Sequence, residues 1–124
     1  MLVLKTRWFD RWARKVGLSD KALLTAVVEL EQGLVGDALG GFVFKKRVAL
    51  PGKGKRGSCR VLIIYKQADR ALFVFGFRKS RRSTIGPHEL HDLRLLARHY
   101  LSYTPEGLNA AKSALELIEV AKDG

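Results

Sequence analysis

The chain has little cysteine, little proline and few acids. Its single cysteine, Cys59, excludes an intrachain disulfide framework and any zinc site built from several thiolates. Three prolines leave room for regular elements and exclude a proline-rich, low-complexity chain. No apolar run approaches the ~20 residues needed to span a bilayer. Lys5 and Arg7 arrive too early for the apolar stretch of a signal peptide. What is present, 47% hydrophobic and 28% charged residues in a chain of 124, suffices for one packed core. The expectation is a single cytoplasmic domain over 1–124.

The shortage of acids is local, and that is its interest. Residues 45–82 hold 13 Lys and Arg against one acid, Asp69, whereas the flanking segments are close to neutral. A basic centre between neutral flanks predicts a focused positive surface rather than general solubility. Seven of the 13 are Arg, whose planar fork matches phosphate better than hydration alone requires. Nucleic-acid phosphates are the first candidate partner, an acidic protein segment the second and a membrane surface the third.

Periodicity predicts an α+β fold. A short strand at Met1–Lys5 leads into a helix capped by Thr6, with Phe9, Trp12, Ala13 and Val16 on one face and Gly17 as its stop. Ser19 and Asp20 open a second helix with Leu23, Val27, Leu30 and Leu34 in register, and together the two form a helical hairpin. Phe42–Leu50, Cys59–Lys66 and Ala71–Lys79 read as a three-strand antiparallel meander. Pro51 to Ser58 forms a glycine- and lysine-rich connection, and Gln67–Arg70 a tight turn. A third helix starts near Pro87. A fourth follows Thr104-Pro105, with Leu108, Ala111, Leu115 and Ile118 repeating. The predicted sheet is therefore small and mostly antiparallel, a short first strand plus the meander, with the hairpin packed on it and C-terminal helices after it.

Alternation along the strands places Phe44, Lys46 and Val48 on one face and Lys45 and Arg47 on the other, the latter pair roughly 7 Å apart. Arg60 follows the basic loop on the adjacent strand, and the third strand runs into Arg78, Lys79, Arg81 and Arg82. Converging cations suit RNA cleavage without a metal. As a ribose 2′-hydroxyl attacks the neighbouring phosphorus, charge builds on the phosphate oxygens, and fixed guanidinium and ammonium groups stabilise it. One proton must leave the 2′-hydroxyl and another must reach the departing 5′-oxygen, tasks suited to a Lys or a His. On charge alone, plain nucleic-acid binding outranks catalysis.

Several pieces taken together resemble the RelE/ParE superfamily of bacterial toxins, in particular its RelE/HigB-like branch. They are Lys5-Thr6-Arg7-Trp8-Phe9-Asp10-Arg11-Trp12-Ala13-Arg14-Lys15, Leu39-Gly40-Gly41, Phe44-Lys45-Lys46-Arg47-Val48-Ala49, Pro51-Gly52 to Gly57, Arg60, and Phe75-Gly76-Phe77-Arg78-Lys79-Ser80. The resemblance implies a helical hairpin on a small sheet with a concave basic surface. It also implies a ribosome-dependent, metal-independent mRNA endoribonuclease that blocks translation, needs no cofactor and is neutralised by an antitoxin, acidic or of helix-turn-helix type. Carried over by position, Lys45 and Arg47 resemble the paired cations on the scissile phosphate, Arg60 the arginine that stabilises the transition state, and Lys79 the basic group ending the last strand. Lys46, Lys53, Lys55, Arg56, Arg78, Arg81 and Arg82 are expected to bind RNA. Where relatives place a Tyr or His after the last strand, this chain has Ser83-Thr84-Ile85, and His88 is the nearest titratable ring. That departure keeps open a ParE-like action on DNA gyrase, or a non-catalytic RNA-binding module.

Other signals are weaker. His88-Glu89-Leu90-His91 is one residue short of a zincin motif and reads as a solvated helix face, so no metal is expected. Cys59 reads as a small, half-buried strand residue rather than a nucleophile. Tyr65 falls on the core side. Trp8 and Trp12, four residues apart, read first as packing anchors, with base stacking by Trp8 as the second reading.

Overall fold

A computed structural model describes residues 1–50, 57–79, 82 and 84–120. The helix boundaries follow the capping chemistry. Strand β1 (Leu2–Thr6) gives way to α1 (Arg7–Val16) at Thr6, whose hydroxyl accepts the Phe9 amide at 3.1 Å. Gly17 closes α1 in the left-handed region, at φ 83°. Ser19 caps α2 (Asp20–Glu31) in the same way through the Ala22 amide. The meander comprises β3 (Val43–Ala49), β4 (Ser58–Lys66) and β5 (Arg70–Arg78), preceded by the two-residue β2 (Asp37–Ala38). Pro87 opens α3 (Pro87–Leu101), and Thr104 caps α4 (Pro105–Ser113).

The chain departs from expectation at its C-terminal end. The fourth helix stops at Ser113, Leu115 takes φ 60°, and Leu117–Glu119 form β6 instead of a further helical turn. Leu115 is exposed, while Leu117 is fully buried beside β1. Among the described residues the sheet has six strands in the order β2-β3-β4-β5-β1-β6. All neighbours pair antiparallel except β1 and β5, which run parallel.

Both faces of the sheet are covered. Cys59, Val61, Ile63, Tyr65 and Phe73 pack beneath α1 and α2 with Phe9, Ala13, Leu23, Val27 and Leu30. Leu62, Ile64, Leu72 and Val74 pack beneath α3 and α4 with Leu93, Ala97, Tyr100, Leu108 and Ala111. The unbroken apolar run Val61–Tyr65 is the signature of a strand buried on both sides.

A buried ion-pair knot ties the hairpin to the sheet. The Lys5 ammonium lies 2.8 Å from Asp10 and 2.7 Å from Asp20, and Arg14 reaches the other Asp10 oxygen at 3.2 Å. Burial opposes charge at both Lys5 and Asp10. The mutual hydrogen bonds and charges outweigh it, raising the Lys5 pKa and lowering that of Asp10.

One irregularity sets which side chains reach the functional face. The β4–β5 register slips between Leu62 and Ile63, leaving Val74 as an extra residue on β5. Beyond this bulge Phe77 lies opposite Arg60, Gly76 opposite Val61 and Arg78 opposite Cys59. Gly76 thereby turns toward α1, where a methyl group would overlap the indole ring of Trp12.

Candidate functional site

The cations sit where strand parity and register put them. Lys45 and Arg47 are two residues apart on β3, and Arg47 pairs directly with Arg60 on β4. Directly opposed residues of an antiparallel pair hold their Cβ atoms about 5 Å apart, so two guanidinium side chains rise from neighbouring roots. Phe77 is next in the row, and Lys79 lies just past the end of β5 at the same parity. Lys45, Arg47 and Arg60 therefore share one face at the end of the meander where the basic loop joins β3 to β4, and Lys79 follows one residue past the end of β5.

Their partners differ. Lys45 is mostly covered and pairs with Asp37 on the edge strand at 3.5 Å. Arg47 and Lys79 are exposed. Arg60 is half-buried, and its Nη1 nitrogen is enclosed with no hydrogen-bond partner among the described residues. A buried donor without an acceptor costs about 1–3 kcal/mol, and like charges directly opposite on a ladder add to the cost. Such local costs cluster where a ligand completes the arrangement.

The N-terminus of α3 is pinned beside this row. The Arg82 guanidinium lies 5.2 Å over the Phe77 ring and holds both Glu89 oxygens, with Nη1 at 2.9 Å from Oε2. Glu89 also accepts the Gly86 amide at 3.1 Å. The Arg82 hydrogen bond, then the Gly86 amide, pull the Glu89 pKa down to about 2 against a small opposing effect of burial. His88, the residue before Glu89, is exposed in the first turn of α3.

Three residues expected to bind RNA lie away from this row or are engaged elsewhere. Lys46 is 6% exposed on the α2 face, bonded to the Leu34 carbonyl at 2.6 Å and paired with Glu29 at 3.1 Å; parity turns it away from Lys45 and Arg47. Arg82 is engaged with Glu89 and the Thr84 carbonyl, which makes it a brace for α3. Arg78 emerges on the face opposite Arg60, because the bulge at Val74 shifts every later residue of β5. Lys53, Lys55, Arg56 and Arg81 lie outside the described residues.

Cys59 is fully buried, not half-buried, and burial pushes its thiol pKa up against the opposing charges of Arg78 and Arg60. It is a core residue. Tyr65 is buried on the α2 side, as parity predicts. Among the described residues no group of three or more His, Cys, Asp or Glu comes together in a way that could hold a metal ion. Among them, no helix is long and apolar enough to cross a membrane.

Trp8 and Trp12, read first from the sequence as packing anchors, form an aromatic surface along α1. Trp8, 47% exposed, stacks on Phe75 at 4.9 Å and runs within 8° of parallel to Trp12 at 6.2 Å. The i,i+4 spacing of the two tryptophans was a visible signal. Their position beside Gly76 and Arg78 was not, because it depends on the bulge.

The fold is an α+β domain whose six-stranded, mostly antiparallel sheet carries Lys45, Arg47 and Arg60 on one face. The family model of the RelE toxin of the RelE/RelB toxin–antitoxin system matches residues 1–120, and the chain belongs to that family. It is thus a toxin of a toxin–antitoxin pair, and membership carries an antitoxin partner with it. No curated protein matches the chain.

Proposed function

We propose that this toxin is an mRNA endoribonuclease that acts on ribosome-bound message, without metal or cofactor, and so blocks translation. The observation that carries the reading is the Arg47–Arg60 pair. The two arginines are directly opposed in the ladder, and the Nη1 nitrogen of Arg60 is enclosed without an acceptor among the described residues. This arrangement costs the free protein stability, and a bound phosphate repays it.

In this reading Lys45 and Arg47 hold the scissile phosphate. Arg60 supplies donors to the non-bridging oxygens as negative charge builds on them. Lys79 neutralises the adjoining phosphate. The 2′-hydroxyl oxygen bonds to phosphorus as its proton passes to a base, the bond to the 5′-oxygen breaks, and that oxygen takes up a proton. The products are a 2′,3′-cyclic phosphate and a 5′-hydroxyl end. His88, held at the pinned start of α3, is the proton-transfer group. An acidic or amphipathic segment of the antitoxin, whether or not it carries a helix-turn-helix, competes for the same cations.

The test is cleavage of mRNA on and off ribosomes by purified protein that has been stripped of metal with a chelator and dialysed before mixing. The proposal expects cut ends bearing cyclic phosphate, on ribosomes only, undiminished by the stripping. Intact message together with cut DNA in a gyrase assay contradicts it, as does RNA retention with no cut ends.

A further inference from the structure

The near-neutral charge of the first 44 residues conceals a basic surface, because the fold uses their acids internally. Asp10 and Asp20 close on Lys5, Glu29 on Lys46 and Asp37 on Lys45. The exposed side of α1 is left with Arg7, Arg11, Arg14 and Lys15. Next to this stripe, Trp8, Trp12, Lys15 and Val16 from α1 and Gly76, Phe77 and Arg78 from β5 line a cavity of about 360 Å³. That volume is at the lower end of small-molecule sites. Its walls are two near-parallel indole rings, and its rim carries two cations.

The cavity shares Phe77 with the cationic row, since Phe77 lines the cavity and lies opposite Arg60. Register between β1 and β5 ends at Lys5 and Phe73, so the stretch of β5 from Val74 to Arg78 extends past β1, with α1 against it. Phe77 faces Arg60 on one side of this stretch, and the next residue, Arg78, faces the tryptophans on the other.

We infer that the groove of Trp8, Trp12, Lys15 and Arg78 is a subsite for a base of single-stranded RNA next to the cleaved phosphate, with Lys15 and Arg78 on the flanking phosphates. This rests on the nuclease reading for the identity of the strand. Stacking on aromatic side chains within a positive groove is the general way proteins hold single strands without reading their sequence. An acidic protein segment would satisfy the cations through its carboxylates, whereas every nucleotide of a single strand brings both a phosphate for the cations and a ring for the indoles.

The protein contains two tryptophans, and both line this groove, so intrinsic fluorescence reports on it alone. A 2′-O-methyl RNA hexamer, which cannot be cleaved, is titrated into the purified toxin. The expected result is saturable quenching. It should weaken about tenfold in Trp8→Leu, weaken again in Lys15→Glu, and persist in Lys112→Ala, a substitution on α4. Melting curves establish that each variant folds. Absence of quenching, equal affinity in Lys15→Glu, or quenching by an acidic peptide but not by RNA overturns the subsite. Saturable quenching alongside uncut ribosomal message leaves the subsite standing and removes the nuclease reading. Cleavage with unaltered tryptophan emission does the reverse.

Discussion

Replacing Arg60 by leucine should stabilise the protein while disabling it. In the wild type the Arg60 Nη1 is buried without a hydrogen-bond partner among the described residues, at a cost of about 1–3 kcal/mol. It also stands directly opposite Arg47, a like-charge pairing worth a further few tenths to about 1 kcal/mol. Leucine removes both costs and sits beside Phe77 on a face already bearing Leu62 and Ile64. The net expectation is a gain of about 1–3 kcal/mol. At ~2 cal/mol/K of unfolding entropy per residue, that is a rise in Tm of roughly 4–12 °C. Cleavage should fall about 100-fold, the usual effect of losing one fixed donor to a developing oxyanion. The assay is thermal unfolding by circular dichroism, with and without a polyanion such as heparin. Heparin should raise the wild-type Tm more than that of Arg60→Leu. A variant that melts several degrees lower than wild type would refute the reasoning, since it would mean that the guanidinium holds the fold together.

Lys5→Met leaves Asp10 enclosed with only Arg14 beside it, and should cost about 3 kcal/mol in denaturant unfolding without altering RNA affinity. The native Asp10 pKa is lowered, so its contribution is complete above the ordinary carboxylate range and lost as pH falls toward the native value. Wild-type Tm should therefore drop on acidification, and that limb should flatten in Lys5→Met. Lys45→Ala and Lys46→Ala should separate cleanly: the first reduces cleavage with little change in Tm. The second lowers Tm by removing the pair with Glu29, and leaves the cleavage of folded protein intact. Gly76→Ala should destabilise by about 1–3 kcal/mol through overlap with Trp12, accompanied by a shift in tryptophan emission.

The sequence makes local chemistry readable and long-range pairing obscure. Thr6, Ser19, Thr104 and Pro87 announce helix starts through capping and fixed backbone angles, and all four hold. The meander follows from its β-branched and aromatic content. Strand β6 is three residues long, too short for any period to show, and Ile118 and Leu115 happen to continue the spacing of α4. Coverage of both sheet faces was present in Val61–Tyr65, yet the cations drew attention to a single exposed face.

The candidate site divides along the same line. Simple alternation puts Lys45 and Arg47 together and sends Lys46 the other way, and the structure agrees. The position of Arg78 depends on a bulge at Val74 that no residue type there demands. The capture of Arg82 by Glu89, seven residues on, depends on the path of the chain into α3. Neither Asp37 beside Lys45 nor the tryptophan groove beside Arg78 can be read from one segment alone, because each joins elements distant in sequence.

The most direct test of the central claim is to map mRNA 5′ ends in cells shortly after induction of the wild-type chain and of folded Arg60→Ala. The account predicts new 5′-hydroxyl ends within translated regions for wild type and their loss in the variant. Unbroken transcripts under wild-type growth arrest, or the same ends in both strains, would contradict it.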